Sequence, residues 1–218
     1  MSKALREAII TKALTLVNSK GWTEHTLQQA MMEHSLSPLA TRAVFPNGEF
    51  ELVEHVIART YNELSERYES GEFSMLSKQD QVIAMVKVSL ENKGPFIRRW
   101  DEAVRLAFEN PSVSAPLMWN SWTLFSKPIE DQTTLPRNSL TLLVGQLQCN
   151  AEQFMQGDSS ADFKRTWEYL ESSASVMYSW ETSLETTVNY AEILAKSVFR
   201  LAESAMPEPA QHINPMPR

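Results

Sequence analysis

Glycine is scarce in this chain, with six in 218 residues and each isolated from the next. That leaves no glycine-rich loop to cradle a phosphate and no Gly-x-Ser-x-Gly elbow for a serine nucleophile. Cysteine is scarcer still. The single Cys149 excludes an internal disulfide framework and fits a reducing compartment. It sits in an apolar stretch with no histidine close in sequence, so it reads as a buried, inert thiol. The histidines, His25, His34, His55 and His212, lack metal-ligand spacing, and the Glu-x-x-His motif of a di-iron bundle does not occur. Glu51 and His55, one helical turn apart, read as an exposed pair on an outer face. No catalytic residue, metal or cofactor is expected, and the chain does not read as an enzyme.

Positive charge is also in deficit. Twenty basic residues against 27 acidic give a net charge of −7, which argues against unspecific attraction to nucleic acid or anionic lipid. No apolar run approaches the roughly 20 residues that span a bilayer. No secretory signal is visible, because amphipathic patterning begins almost at Met1. Strand-like alternation and internal repeats are absent too.

What is present is helical periodicity over most of the length, in a chain that is 43% hydrophobic. A first apolar stripe runs from Ala4 through Leu5, Ile9, Ile10, Ala13 and Leu14 to Val17 and ends at Lys20-Gly21. Thr23 or Thr26 can cap a short second helix. Pro38 opens a third helix of about two turns that stops at Phe45-Pro46-Asn47-Gly48. Three short helices with these turns predict a helix-turn-helix bundle over residues 1–48.

Longer helices are expected over 49–68, 79–92, 95–110, 113–126, 139–156 and 160–179. Gly94 and Pro95 should mark a stop and a restart. The predicted organisation is a helical domain over 49–181, an amphipathic helix over 182–205 and a disordered tail over 206–218. The fold class is all-α.

The third helix would read DNA in a repressor, but it offers one base, Arg42, between Ser37 and Val44. Residues 1–65 carry seven acids against six bases, so the electrostatic term that dominates DNA affinity is nearly absent. No nucleic acid is expected as a partner, and a structural role for the bundle is favoured.

Near the C-terminal end, Gly157 can close one helix in the left-handed conformation, and Asp158, Ser159 or Ser160 can cap the next. That next helix carries Phe163, Trp167, Leu170, Ala174 and Met177 on one stripe, with Tyr169, Val176 and Trp180 well round the cylinder. A helix packed on one side needs a single stripe, so the second group calls for another partner. The final segment has a further stripe of Leu184, Val188, Ala191, Leu194, Val198 and Leu201. It suits core packing, a dimer contact or a helix lying in a membrane interface. Phe96, Trp100, Leu117, Met118, Trp122, Leu143, Leu147 and Phe154 could line an apolar cavity or simply fill a core.

Gly21-Trp22-Thr23, Phe45-Pro46-Asn47-Gly48 and above all residues 155–171 resemble the coenzyme Q protein nine family, lipid-binding proteins of ubiquinone biosynthesis whose fold is similar to TetR regulators. Residues 5–64 match TetR repressors equally well. The family's loop of the form Gly-Asp-x-Ser-Thr-Asp has a partial counterpart in Asp131-Gln132-Thr133-Thr134, but Leu135-Pro136-Arg137-Asn138-Ser139 replaces its aromatic and basic sequel, so the chain is a divergent member.

The resemblance implies a non-catalytic accessory protein that binds an isoprenoid quinone or other polyprenyl lipid in the cavity named above. It implies membrane contact through the final stripe. It also implies docking of the demethoxyubiquinone hydroxylase, and of the ubiquinone-synthesising complex, on Asp158, Asp162, Phe163, Thr166, Trp167 and Leu170. Lys164 and Arg165 stand where the family leads one to expect an acid. The location implied is peripheral, on the matrix side of the mitochondrial inner membrane or the cytoplasmic side of a bacterial one, with a homodimer as one arrangement. The alternatives are a ligand-responsive TetR-type repressor and a purely structural scaffold.

Overall fold

The computed structural model describes residues 2–179, and every regular element among them is helical. The arrangement is consistent with the TetR-like all-α fold expected from sequence. Helix α1 (Lys3–Lys20) starts where the Ser2 hydroxyl accepts the Leu5 N–H, and it buries Ile9, Ile10, Ala13, Leu14 and Val17. It ends at Gly21, whose φ of 81° favours glycine. A Cβ there would also collide with the Arg99 and Glu102 side chains. Thr23 caps α2 (Glu24–Glu33) by accepting the Thr26 N–H.

The expected two-turn third helix is shorter. A 3-10 turn over Pro38–Ala40 leads into a single α-helical turn, α3 (Thr41–Val44). No side chain caps α3, and the chain is drawn off its axis where Phe45 enters the core.

Helix α4 (Phe50–Glu69) buries Phe50, Leu52, Val53, Val56 and Leu64. The exposed Glu51–His55 pair is not found. Both residues turn towards α1: Glu51 is buried, ion-paired with Arg6 and accepts the Asn47 N–H at 3.0 Å, while His55 lies 3.6 Å from Glu7. Burial pushes the Glu51 carboxyl up against the opposing pull of the Asn47 N–H and Arg6. Burial pushes the His55 imidazole down, with Glu7 opposing.

Helix α5 (Lys78–Lys93) opens on Ser77, whose hydroxyl accepts the Asp80 N–H at 3.1 Å. Gly94 does not break it. With φ −45° and ψ −46°, Gly94 stays helical, and the chain continues through a 3-10 stretch to Arg99 and into α6 (Trp100–Glu109). Glycine permits a left-handed stop without requiring one, and Pro95 tolerates a helical first turn. Helices α7 (Pro111–Ser126), α8 (Arg137–Gly157) and α9 (Lys164–Ser179) complete the described chain. Helix α4 packs on α5, α6 and α7, and α8 packs on both α7 and α9.

Trp22 locks the N-terminal helices onto the rest. Its buried ring meets Phe96 and Trp100 edge-on, both with centroids 5.5 Å away. Its backbone N–H donates to Glu102 at 3.0 Å, and Asn18 Nδ2 donates to the Pro95 carbonyl at 2.8 Å. The candidate membrane stripe from Leu184 to Leu201, the expected tail and Trp180 lie outside the described residues.

Candidate docking surface and interior

The corner between α8 and α9 is built from Asp158. Gly157 is not left-handed; α8 runs through it and stops at Asp158, whose backbone is extended. The Asp158 carboxylate accepts the Ser160 N–H at 2.8 Å, the Thr166 N–H at 2.9 Å and the Thr166 hydroxyl at 2.7 Å. Burial alone would raise this carboxyl, but those hydrogen bonds outweigh it and hold it at about 2. A buried aspartate thus serves as a cap for α9.

Beyond the cap lie two consecutive non-glycine residues in the left-handed region, Asp162 at φ 52° and Phe163 at φ 55°. Such conformations cost about 1–3 kcal/mol each and persist only where surrounding contacts fix them. Here the Asp158 knot holds one side, and Phe163 faces Gly94 across the corner. From above, Trp167 Nε1 donates to the Asp162 carbonyl at 2.8 Å. The Phe163 and Trp167 rings meet edge-on at 6.5 Å.

The six candidate docking residues therefore divide. Asp158, Thr166 and Leu170 are buried and shape the corner from below, while Asp162 is exposed and Phe163 and Trp167 are half-buried at the surface. Lys87 of α5 adds a cation 5.0 Å from the Trp167 ring centroid. Nothing in the sequence pointed to it, because it lies 80 positions away. The second stripe of α9 occupies the other flank, where Tyr169 stacks on Phe154 at 4.5 Å with rings 4° from parallel. Lys164 reaches no nearer than 3.8 Å to Glu168, and Arg165 has no acid partner among the described residues. Glu168, Glu171 and Asp162 are exposed on the same helix start.

The eight candidate cavity residues are spread differently. Phe96, Trp100, Leu143 and Leu147 are buried; Leu117, Met118 and Trp122 are half-buried; Phe154 stands at the margin of the α8 face, 36% exposed, against α9. Phe96 and Trp100 face Trp22, whereas Trp122 covers Gly145, where any Cβ would collide with the indole.

Between these groups lies a polar knot: Trp100 Nε1 donates to Glu152 at 2.6 Å, Glu152 is ion-paired with Lys93, and Lys93 sits 5.2 Å from the Trp100 ring centroid. Gln148 is buried, donates to the Ser89 hydroxyl at 3.2 Å and has no partner for its Oε1 among the described residues. Beside them Cys149 keeps some exposed surface, yet burial, reinforced by the Glu152 carboxylate, drives its thiol up to about 12. It is a poor nucleophile there.

On the would-be recognition helix, the Arg42 guanidinium is held by Glu24 at 2.5 and 3.0 Å and by Glu49 at 3.3 Å. Leu39, at the start of the same turn, is 96% exposed. No group of metal-binding side chains occurs among the described residues. No described helix is long and apolar enough to cross a membrane.

No family model matches the chain. A probable ubiquinone biosynthesis protein coq9, mitochondrial, of Dictyostelium discoideum is 28% identical over 179 residues, covering 77% of this chain and 57% of that protein. Ubiquinone biosynthesis protein COQ9-B, mitochondrial, of Xenopus laevis is 22% identical over 91% of this chain and 71% of its own length. COQ9 of Xenopus tropicalis, also mitochondrial, is 22% identical over 91% of this chain and 65% of its own. The chain thus spans little more than half of the Dictyostelium relative. Together these likenesses support the chain as a divergent member of the COQ9 family.

Proposed function

We propose that this protein acts in ubiquinone biosynthesis, in mitochondria, as the names of its relatives suggest. Its role there is non-catalytic: it binds a polyprenylated quinone intermediate at the membrane surface and presents it to the demethoxyubiquinone hydroxylase. The observation that carries this reading is the α8–α9 corner. Two strained residues, a buried capping aspartate and an indole held by its own hydrogen bond fix an aromatic surface in place before any partner arrives. Preorganisation of this kind reduces the entropy lost on docking. The apolar interior of α5 to α8 takes the isoprenoid chain, and the stripe from Leu184 to Leu201 rests on the bilayer.

A repressor is disfavoured by Arg42. A side chain already held by two carboxylates has to break those contacts before it can reach a base edge or a phosphate.

Extraction of the purified protein with organic solvent, followed by mass spectrometry, tests the reading. A prenylated quinone or precursor is expected. A blank extract from protein purified out of a ubiquinone-producing host would leave the scaffold alternative standing and remove the presenter.

A further inference from the structure

We propose that the loop between α4 and α5 is a second membrane contact, set beside the last described turn of α9, which precedes the C-terminal apolar stripe in sequence. This rests on the reading of that stripe as membrane-facing. The loop carries two adjacent apolar side chains in water: Met75 is 93% exposed and Leu76 is 43% exposed. Single exposed apolar residues are ordinary, but an adjacent pair on a rigid support is not.

The support is well defined. Phe73 is buried beneath the Arg67 guanidinium, 5.5 Å from its ring centroid, and anchors the loop from inside. Turns close between Glu72 N–H and the Arg67 carbonyl, Ser74 N–H and Gly71, and Leu76 N–H and Phe73. Gly71 supplies the left-handed φ of 78° that the reversal requires. Phe73 points in, so Met75 and Leu76 are held out.

Position supplies the occupant. In the last described turn of α9 the Tyr178 hydroxyl lies 3.5 Å from the Gln79 carbonyl, in the first turn of α5. The described chain therefore ends next to the loop, and the stripe beginning at Leu184 follows within a few residues. The same end of the bundle carries Tyr68 with the exposed Lys127 5.8 Å from its ring centroid, an aromatic and a long cation suited to a headgroup layer.

Of the acids here, Glu72 is gripped by Arg67 at 2.7–3.1 Å, Asp131 is paired with Lys78 at 2.9 Å and Glu130 lies 3.1 Å from Arg137, while Glu69 keeps only the Ser65 hydroxyl and Asp80 the Ser77 hydroxyl. An apolar tip flanked by an aromatic ring and an exposed lysine fits a neutral lipid surface. Two contacts on one chain then bind together more tightly than either does alone.

The test is co-sedimentation of the full chain with vesicles of equimolar phosphatidylcholine and phosphatidylethanolamine. Met75→Ser with Leu76→Ser should keep the native helical spectrum and weaken partitioning by about tenfold, from the apolar burial two such side chains supply. A parallel variant, Leu194→Asp with Val198→Asp, reads the stripe alone. If the stripe variant loses binding and the loop variant binds as the unaltered protein does, the loop contact is overturned and the presenter reading survives. If the unaltered protein does not sediment with vesicles, the membrane role falls for loop and stripe alike. A Met75→Trp variant gives an independent readout. Brominated lipid should quench more of its emission than that of the parent chain, and equal quenching would overturn the proposal.

Discussion

The N-terminal bundle and the α8–α9 corner carry charge in opposite ways. In the bundle, Arg6, Lys12 and Arg42 each reach a carboxylate, and Lys20 reaches the Gln29 amide. At the corner, Lys87 lies on a tryptophan face and Arg165 meets no acid among the described residues. Charges engaged within their own module serve the fold, whereas those left unpaired beside aromatic surface remain available to another molecule. The module shaped like a DNA reader is thus the one with its recognition arginine occupied, and the aromatic corner keeps its options.

The comparison is broken most forcibly at Trp22. Trp22→Ala should cost about 3–5 kcal/mol in urea unfolding, because it removes the ring on which Phe96 and Trp100 both lean. Trp22→Phe should cost far less, since Trp22 Nε1 has no hydrogen-bond partner among the described residues. A large loss for both variants would show that the indole nitrogen is engaged after all.

Trp167→Lys acts on the other region. It should lower the unfolding midpoint only modestly, through loss of the Asp162 contact, and weaken hydroxylase binding by about 30-fold, the equivalent of ~2 kcal/mol at an aromatic anchor. Unchanged affinity in a calorimetric titration would place docking elsewhere.

A pH titration sharpens the contrast further. The Asp158 carboxyl titrates at about 2 when folded and near 3.9 when unfolded, so its contribution to stability is complete above roughly pH 4. That contribution is lost as the pH falls through the folded value. Asp158→Asn should be less stable at neutral pH and show a flatter stability curve between about pH 4 and 2. Parallel curves would mean that the hydrogen bonds to Ser160 and Thr166 are not what holds the corner.

The smallest effect belongs to Arg42→Ala. Its carboxylate contacts are exposed and should be worth about 0–1 kcal/mol in thermal unfolding.

Much of the fold could be read from the chain, because helix starts and stops are local events. Thr23 and Gly21 act as caps where side-chain chemistry and glycine freedom say they should. Two misses are cases where a distant contact overrode a local preference. Gly94 stays helical with Met155 and Phe163 lying over it, and Glu51 is drawn inward by Arg6, 45 residues earlier. Gly157 remains within α8, and Asp158 makes the turn through a carboxylate that reaches forward to Thr166.

The candidate site was half legible. The helical stripe gave Phe163 and Trp167, but alternation along one helix says nothing about what stands opposite. Lys87 and the pairing of Phe154 with Tyr169 arise only when α5 and α8 are brought alongside α9.

Trp122 over Gly145 has a practical consequence. The indole fills the notch that a missing side chain leaves in α8, so α7 and α8 can approach closely there. Even Gly145→Ala should therefore force the indole out of its seat, wedge α7 from α8 and lower the unfolding midpoint.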